Sequence, residues 1–154
     1  MRPRIPPPLV MLLAASLMWA LCRWLPLGQL IAYPWNHVGV LPAAAGVAIA
    51  AAAFVRFRQK RTTANPIDLK KASCLVTDGI FGISRNPMYL GLLLLLIGWA
   101  VWLGAASAWL VPPLFLFVIS VVQIAPEEQA LEELFGKEYL AYQRSVSRWI
   151  GRHE

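Results

Sequence analysis

Four apolar runs alternate with polar stretches along this chain, at about 9–25, 38–55, 88–103 and 108–125. Each is close to, and slightly under, the roughly 20 mostly apolar residues that an α-helix needs to cross a bilayer. Flanking cations are therefore expected to snorkel, or the bilayer to thin locally. After the fourth run the pattern becomes amphipathic. Leu131, Leu134 and Phe135 share one side of a helix opened by Pro126, with Glu132 and Glu133 beside them, and Gly136 marks a break. Tyr139, Tyr142, Val146, Trp149 and Ile150 then recur at helical spacing, while Arg144, Arg148 and Arg152 form a basic stripe at i, i+4 and i+8. The pattern predicts an all-α, polytopic membrane helix bundle of about four transmembrane helices, followed by C-terminal amphipathic cytoplasmic helices over 127–150. The whole chain, 1–154, reads as a single domain.

Connections set the topology. Gly104 to Ser107 is a short, uncharged turn, so the third and fourth runs are antiparallel neighbours. That geometry returns Pro126-Glu127-Glu128 to the level of Arg85-Asn86. Asn86-Pro87 is a helix start: Asn caps, and Pro occupies the first turn, where its missing N–H costs nothing. Gly91, Gly98 and Ala105 recur every seven residues and leave one side of the third helix smooth, fit for close packing or for a flat ligand. The second run carries Ala43, Ala44, Ala45, Gly46, Ala48 and Ala50 to Ala53, which reads as close helix packing in lipid. Asp78-Gly79 is a turn signal, and the apolar residues around it lay this loop back against the membrane surface.

Composition agrees with the pattern. Of 154 residues, 58% are hydrophobic and 14% charged, where a soluble domain has roughly 45–50% apolar residues. Arg2 and Arg4 before the first run resemble a signal-peptide start, but no clean small-x-small site follows, so a retained anchor is expected. Cations gather ahead of the first run, between the second and third (Arg56, Arg58, Lys60, Arg61, Lys70, Lys71, Arg85), and after the fourth. The other two loops hold only Arg23. This bias places both termini and the long middle loop in the cytoplasm. The net charge of +6 follows membrane flanks and suits anionic lipid, and no nucleic-acid partner is expected. Cys22 and Cys74 are solitary, and His37 and His153 have no ligand partner at metal spacing, so neither a disulfide nor a metal site is expected.

What chemistry remains lies at the inner boundary: Arg85, Asn86, Tyr89, Glu127, Glu128, Tyr139, Tyr142 and Arg148. Ionisable side chains at that depth are costly unless paired or used. The set lacks a serine–histidine pair and a metal cluster, which argues against hydrolysis. It suits binding of a small zwitterion or cation by carboxylates with aromatic walls, and group transfer driven by alignment and desolvation. For Glu127-Glu128 the plainer alternative is a solvated helix start, where acids favour the first turn.

Several ordered pieces carry a resemblance: Leu75-Val76-Thr77-Asp78-Gly79-Ile80-Phe81, Arg85-Asn86-Pro87-Met88-Tyr89-Leu90-Gly91, Glu127-Glu128, and Phe135-Gly136-Lys137-Glu138-Tyr139 through Tyr142 to Arg148-Trp149. Together they resemble the isoprenylcysteine carboxyl methyltransferase family in its prokaryotic branch, which is similar to the phospholipid N-methyltransferases. The likeness covers about 61–150. It implies a membrane methyltransferase that uses S-adenosylmethionine from the cytoplasmic side and takes a lipophilic or lipid substrate from the bilayer. Carried over by position, Arg85, Glu128 and Arg148 would be catalytic. Asn86, Pro87, Tyr89, Gly91, Glu127, Glu128, Tyr139 and Tyr142 would hold the cofactor, with a carboxylate on its ammonium, Arg85 on its carboxylate and Tyr89 against adenine or the sulfonium. Eukaryotic members usually have His where Asn86 stands, so an acid–base role there is in doubt, whereas a hydrogen-bonding role survives. Two other classes stay open: a sterol-type membrane reductase using a nicotinamide cofactor, and a non-catalytic membrane adaptor.

Overall fold

The computed structural model describes residues 5–25, 27–60 and 74–152. Expectations that rest on Arg2, Arg4, Arg61, Lys70, Lys71 and His153 fall outside those residues. The described chain is helical: α1 (Pro7–Trp24), α2 (Val40–Gln59), α3 (Pro87–Leu103), α4 (Val111–Ile119), α5 (Ala125–Phe135) and α6 (Lys137–Ser145). Among the described residues there are no strands, only the isolated bridges Gln29–Ala105 and Val146–Arg152. The all-α bundle read from the sequence is the observed fold. Three stretches are long and apolar enough to cross a membrane: Pro7–Trp24, Trp35–Gln59 and Ala106–Phe135. At 17 residues α3 is shorter, about 26 Å long at 1.5 Å per residue. The chain is an integral membrane protein.

Helices α2 and α3 pair antiparallel through small residues. A Cβ on Gly46 would stand 2.5 Å from the Gly91 carbonyl oxygen, and one on Gly98 would stand 2.6 Å from the Gly39 oxygen. Ala50 and Ala43 complete the contact from α2. The seven-residue recurrence on α3 is thus matched by one on α2, and the smooth side serves helix packing, where dispersion rewards close approach. At the end away from Glu128, Gly104 takes a left-handed φ of 69°. Its carbonyl accepts from the Leu30 and Ile31 N–H groups at 2.7 and 3.1 Å. On the other side of α3, Met18 is fully buried among Tyr89, Leu93, Leu96, Phe115 and Ile119. The Trp99 indole donates to the Ala15 carbonyl at 3.2 Å.

Two features depart from the expectation. The helix does not restart at Pro126: it runs unbroken from Ala106 to Phe135, with a π turn at Ser120–Ile124 directly ahead of the proline. Proline lacks the N–H and crowds the carbonyl four residues back. The wider turn absorbs that mismatch without ending the helix. The second departure is in the tail. α6 stops at Ser145, Val146 is extended, and 146–152 folds back on itself, with Ser147 N–H donating to Gly151 O at 2.9 Å. Trp149 and Ile150 are therefore not helical, and the basic stripe does not form. Arg148 and Arg152 turn to separate partners instead.

The 75–83 loop tucks under α6. Val76 and Phe81 are buried against Ala53, Tyr139, Tyr142 and Val146. Asp78 meets Arg56 and Lys60 at 3.7 and 3.5 Å, tying the loop to the end of α2. All three side chains are nearly half exposed, so each pair contributes little.

Candidate active site

Glu127 and Glu128 are adjacent in the first turn of α5, about 100° apart around the helix. They consequently reach different partners. Glu127 Oε1 accepts from the Tyr89 hydroxyl at 2.7 Å. Glu128 Oε1 accepts from Arg85 Nη1 at 2.7 Å and from Arg148 Nε at 3.2 Å, while its Oε2 takes Arg148 Nη2 at 2.5 Å. Both glutamates are buried, which removes the solvated-helix-start alternative. The Arg85 and Glu128 side chains are only 11% and 10% exposed, whereas Arg148 is 40% exposed and closes the cluster on its outer side.

Local structure explains how Arg85 arrives. Ser84, fully buried, accepts the Asn86 N–H at 3.1 Å. The Arg85 N–H donates to the Ser147 carbonyl at 3.1 Å. The chain is thereby fixed just ahead of α3, and Arg85 points toward α5. Asn86 occupies the N-cap position of α3, but no side-chain cap bond forms there. Its amide donates to the Arg148 carbonyl at 3.2 Å instead. The capping role read from Asn86 is thus replaced by a tie to the C-terminal segment. Tyr139 lies 3.4 Å from Arg85 Nη1, and Tyr142 donates to the Phe81 carbonyl at 2.6 Å.

Burial sets the electrostatics. The Tyr139 phenol is pushed up, first by desolvation and then by the Glu128 carboxylate. Tyr142 is pushed up by desolvation and by Tyr139. Both therefore serve as neutral hydrogen-bonding groups. The Arg148 guanidinium is held more firmly charged by its hydrogen bonds to Glu128. Arg85 Nε is buried with no hydrogen-bond partner among the described residues, a spare charged donor beside a carboxylate.

A family model described as phospholipid methyltransferase matches residues 35–138. The chain belongs to the phospholipid methyltransferase family. Among curated relatives, a Haemophilus influenzae protein described as uncharacterized is 51% identical over 63 residues, which are 41% of this chain and all of that protein. The Protein-S-isoprenylcysteine O-methyltransferase of Schizosaccharomyces pombe is 34% identical over 80 residues, 52% of this chain and 34% of that enzyme. The chain thus spans about a third of the yeast relative's length. No solved structure matches.

Within this phospholipid methyltransferase fold, five of the residues singled out from sequence form one bonded set, Arg85, Asn86, Glu128, Tyr139 and Arg148, and Tyr89 and Glu127 form a bonded pair one residue along α5 from Glu128. Tyr142 packs beside Tyr139 with ring centroids 6.2 Å apart. Pro87 is buried in the first turn of α3. Gly91 lies elsewhere: its bare Cα abuts Gly46 and Ala50 of α2, so its lack of a side chain is explained by helix packing. Ser84 and the carbonyls of Phe81 and Ser147 were not singled out. The two carbonyls act through main-chain placement, for which residue type carries no signal, while Ser84 acts through its buried hydroxyl on the Asn86 N–H.

Proposed function

We propose that this protein transfers a methyl group from S-adenosylmethionine to a lipophilic acceptor that reaches the site from the bilayer. The observation that carries the reading is the buried charge cluster at the head of α3 and α5. Glu128 is shared by two guanidiniums, and Arg85 Nε stands buried without a partner. A buried, unsatisfied charged donor is rare in a native fold and is explained by a ligand acceptor. Family membership supports the methyl-transfer class.

The residues present fit the cofactor's methionine end. Arg85 offers its spare donor to a carboxylate, and Glu127 and Glu128 offer oxygens to an ammonium. The rings of Tyr89, Tyr139 and Tyr142 would flank a cation, each worth about 0.5–2 kcal/mol. When bound, the cofactor supplies an electrophilic methyl on a sulfonium. What this chain supplies is alignment and exclusion of water, from arginines, carboxylates and neutral phenols held in one buried cluster. Asn86 fits that scheme, since its amide fixes the Arg148 main chain and needs no titration. The cationic flanks of the apolar runs favour a cytoplasmic site and cytoplasmic termini in a bacterial inner membrane.

The test is equilibrium binding to detergent-purified protein. S-adenosylmethionine should bind and reduced nicotinamide cofactor should not. Glu128→Gln and Tyr89→Ala should each weaken binding at least about tenfold. Binding of the nicotinamide alone would falsify the methyltransferase reading and revive the reductase.

A further inference from the structure

Arg148 reaches Glu128 from a segment that is neither helix nor strand, and something must hold that segment in place. Several interactions do so, beginning with the Asn86 amide on the Arg148 carbonyl at 3.2 Å. Arg85 N–H donates to Ser147 O at 3.1 Å, Gly151 N–H donates to Ile83 O at 2.9 Å, and Ser147 N–H donates to Gly151 O at 2.9 Å. A second side chain locks the end of the turn: Arg152 Nε donates to the Gly82 carbonyl at 2.6 Å, across 70 residues of sequence. Gly82 is buried, and a Cβ there would fall 2.7 Å from Arg152 Nη2. The lock therefore uses a long cation at 152, and a side chain at 82 would displace its guanidinium. Neither residue is among the groups bonded to Glu128.

We propose that Arg152 and Gly82 are positioning residues for the active site: they clamp the C-terminal turn so that Arg148 is delivered to Glu128. The inference rests on the cofactor reading of the cluster. Without the lock, the main-chain bonds at Ser147 and Gly151 and the Asn86 amide are left to hold a short turn that ends at the surface. Such turns open readily when few contacts fix them. Arg148, 40% exposed, would then exchange Glu128 for water, and Arg85 alone would remain on the carboxylate. Gly82→Ala perturbs the same lock from the other side. Its methyl meets the far end of a flexible side chain, so the guanidinium shifts while the loop keeps its path.

Two readouts test this. The first needs no cofactor: the Arg148 Nε–H signal in nitrogen-15-labelled protein in detergent. Arg152→Ala and Gly82→Ala should abolish or move that signal to the solvent-exchanging position, with the Arg85 signal retained, and Arg152→Lys should restore part of it. The second is S-adenosylmethionine affinity, which Arg152→Ala should weaken about tenfold in the wild-type background and not at all in Arg148→Ala. A general loss of structure would weaken both backgrounds by the same factor and would overturn the proposal. So would an Arg148 signal indifferent to both substitutions. If the wild type failed to bind the cofactor while the Arg148 signal still collapsed, the clamp would stand and the function assigned to the cluster would fall.

Discussion

Arg85 and Glu128, 43 residues apart in sequence, meet at 2.7 Å with both side chains nearly removed from water. Desolvating two charges is expensive, and the contact is sustained by a second cation, Arg148, on the same carboxylate. Removing the carboxylate charge leaves two guanidiniums facing each other. Glu128→Gln should therefore cost about 3–5 kcal/mol of stability, the range for breaking a buried pair, measured by chemical unfolding in detergent. A variant as stable as the wild type would show that the pair is dispensable for the fold.

Tyr89 places its hydroxyl on Glu127, and both residues are buried. Tyr89→Phe keeps the ring and withdraws one donor from a buried carboxylate. The expected loss is about 1–3 kcal/mol, read as a lowered thermal midpoint, with the fold intact by circular dichroism. Cofactor affinity should fall less than in Tyr89→Ala, because the ring face is retained.

The α2–α3 contact should tolerate no added methyl. A Cβ on Gly98 would meet the Gly39 oxygen at 2.6 Å and the Ala43 Cβ at 2.9 Å. Backbone lies on the other side, so the helices must separate. Gly98→Ala is expected to destabilise by about 1–3 kcal/mol. Gly136→Ala, in a left-handed turn with open space around it, should instead reveal only backbone strain. Comparing the two by thermal unfolding separates crowding from conformation.

Both phenols at α6 make stability depend on pH at the alkaline end. Tyr139 and Tyr142 start from an ordinary value of 10.0 and are raised in the folded chain, chiefly by burial. Above about pH 10 the unfolded chain releases protons that the folded chain keeps, so stability is full below that pH and falls as pH rises. The slope of unfolding free energy against pH, from about pH 9 to about pH 11, should flatten in Tyr142→Phe. An unchanged slope would mean that these phenols reach water.

The hydrophobic pattern by itself determined a great deal: the all-α bundle, the first three apolar helices near their observed positions, and the short antiparallel return through Gly104, while the small residues of the second and third runs signalled close packing without naming their partners. These follow from local rules, namely how many apolar residues cross a bilayer and where backbones approach. The pattern also placed Arg85 and Glu128 at one level, since a short turn forces antiparallel return. Tertiary structure decided the rest. A proline that reads as the start of a new helix is carried inside a longer one, because the π turn before it relieves the clash. Arg148 and Arg152, evenly spaced like a helical stripe, are pulled apart by main-chain bonds to Ile83 and Arg85. Such long-range pairing depends on backbone groups that every residue shares, so no arrangement of residue types announces it.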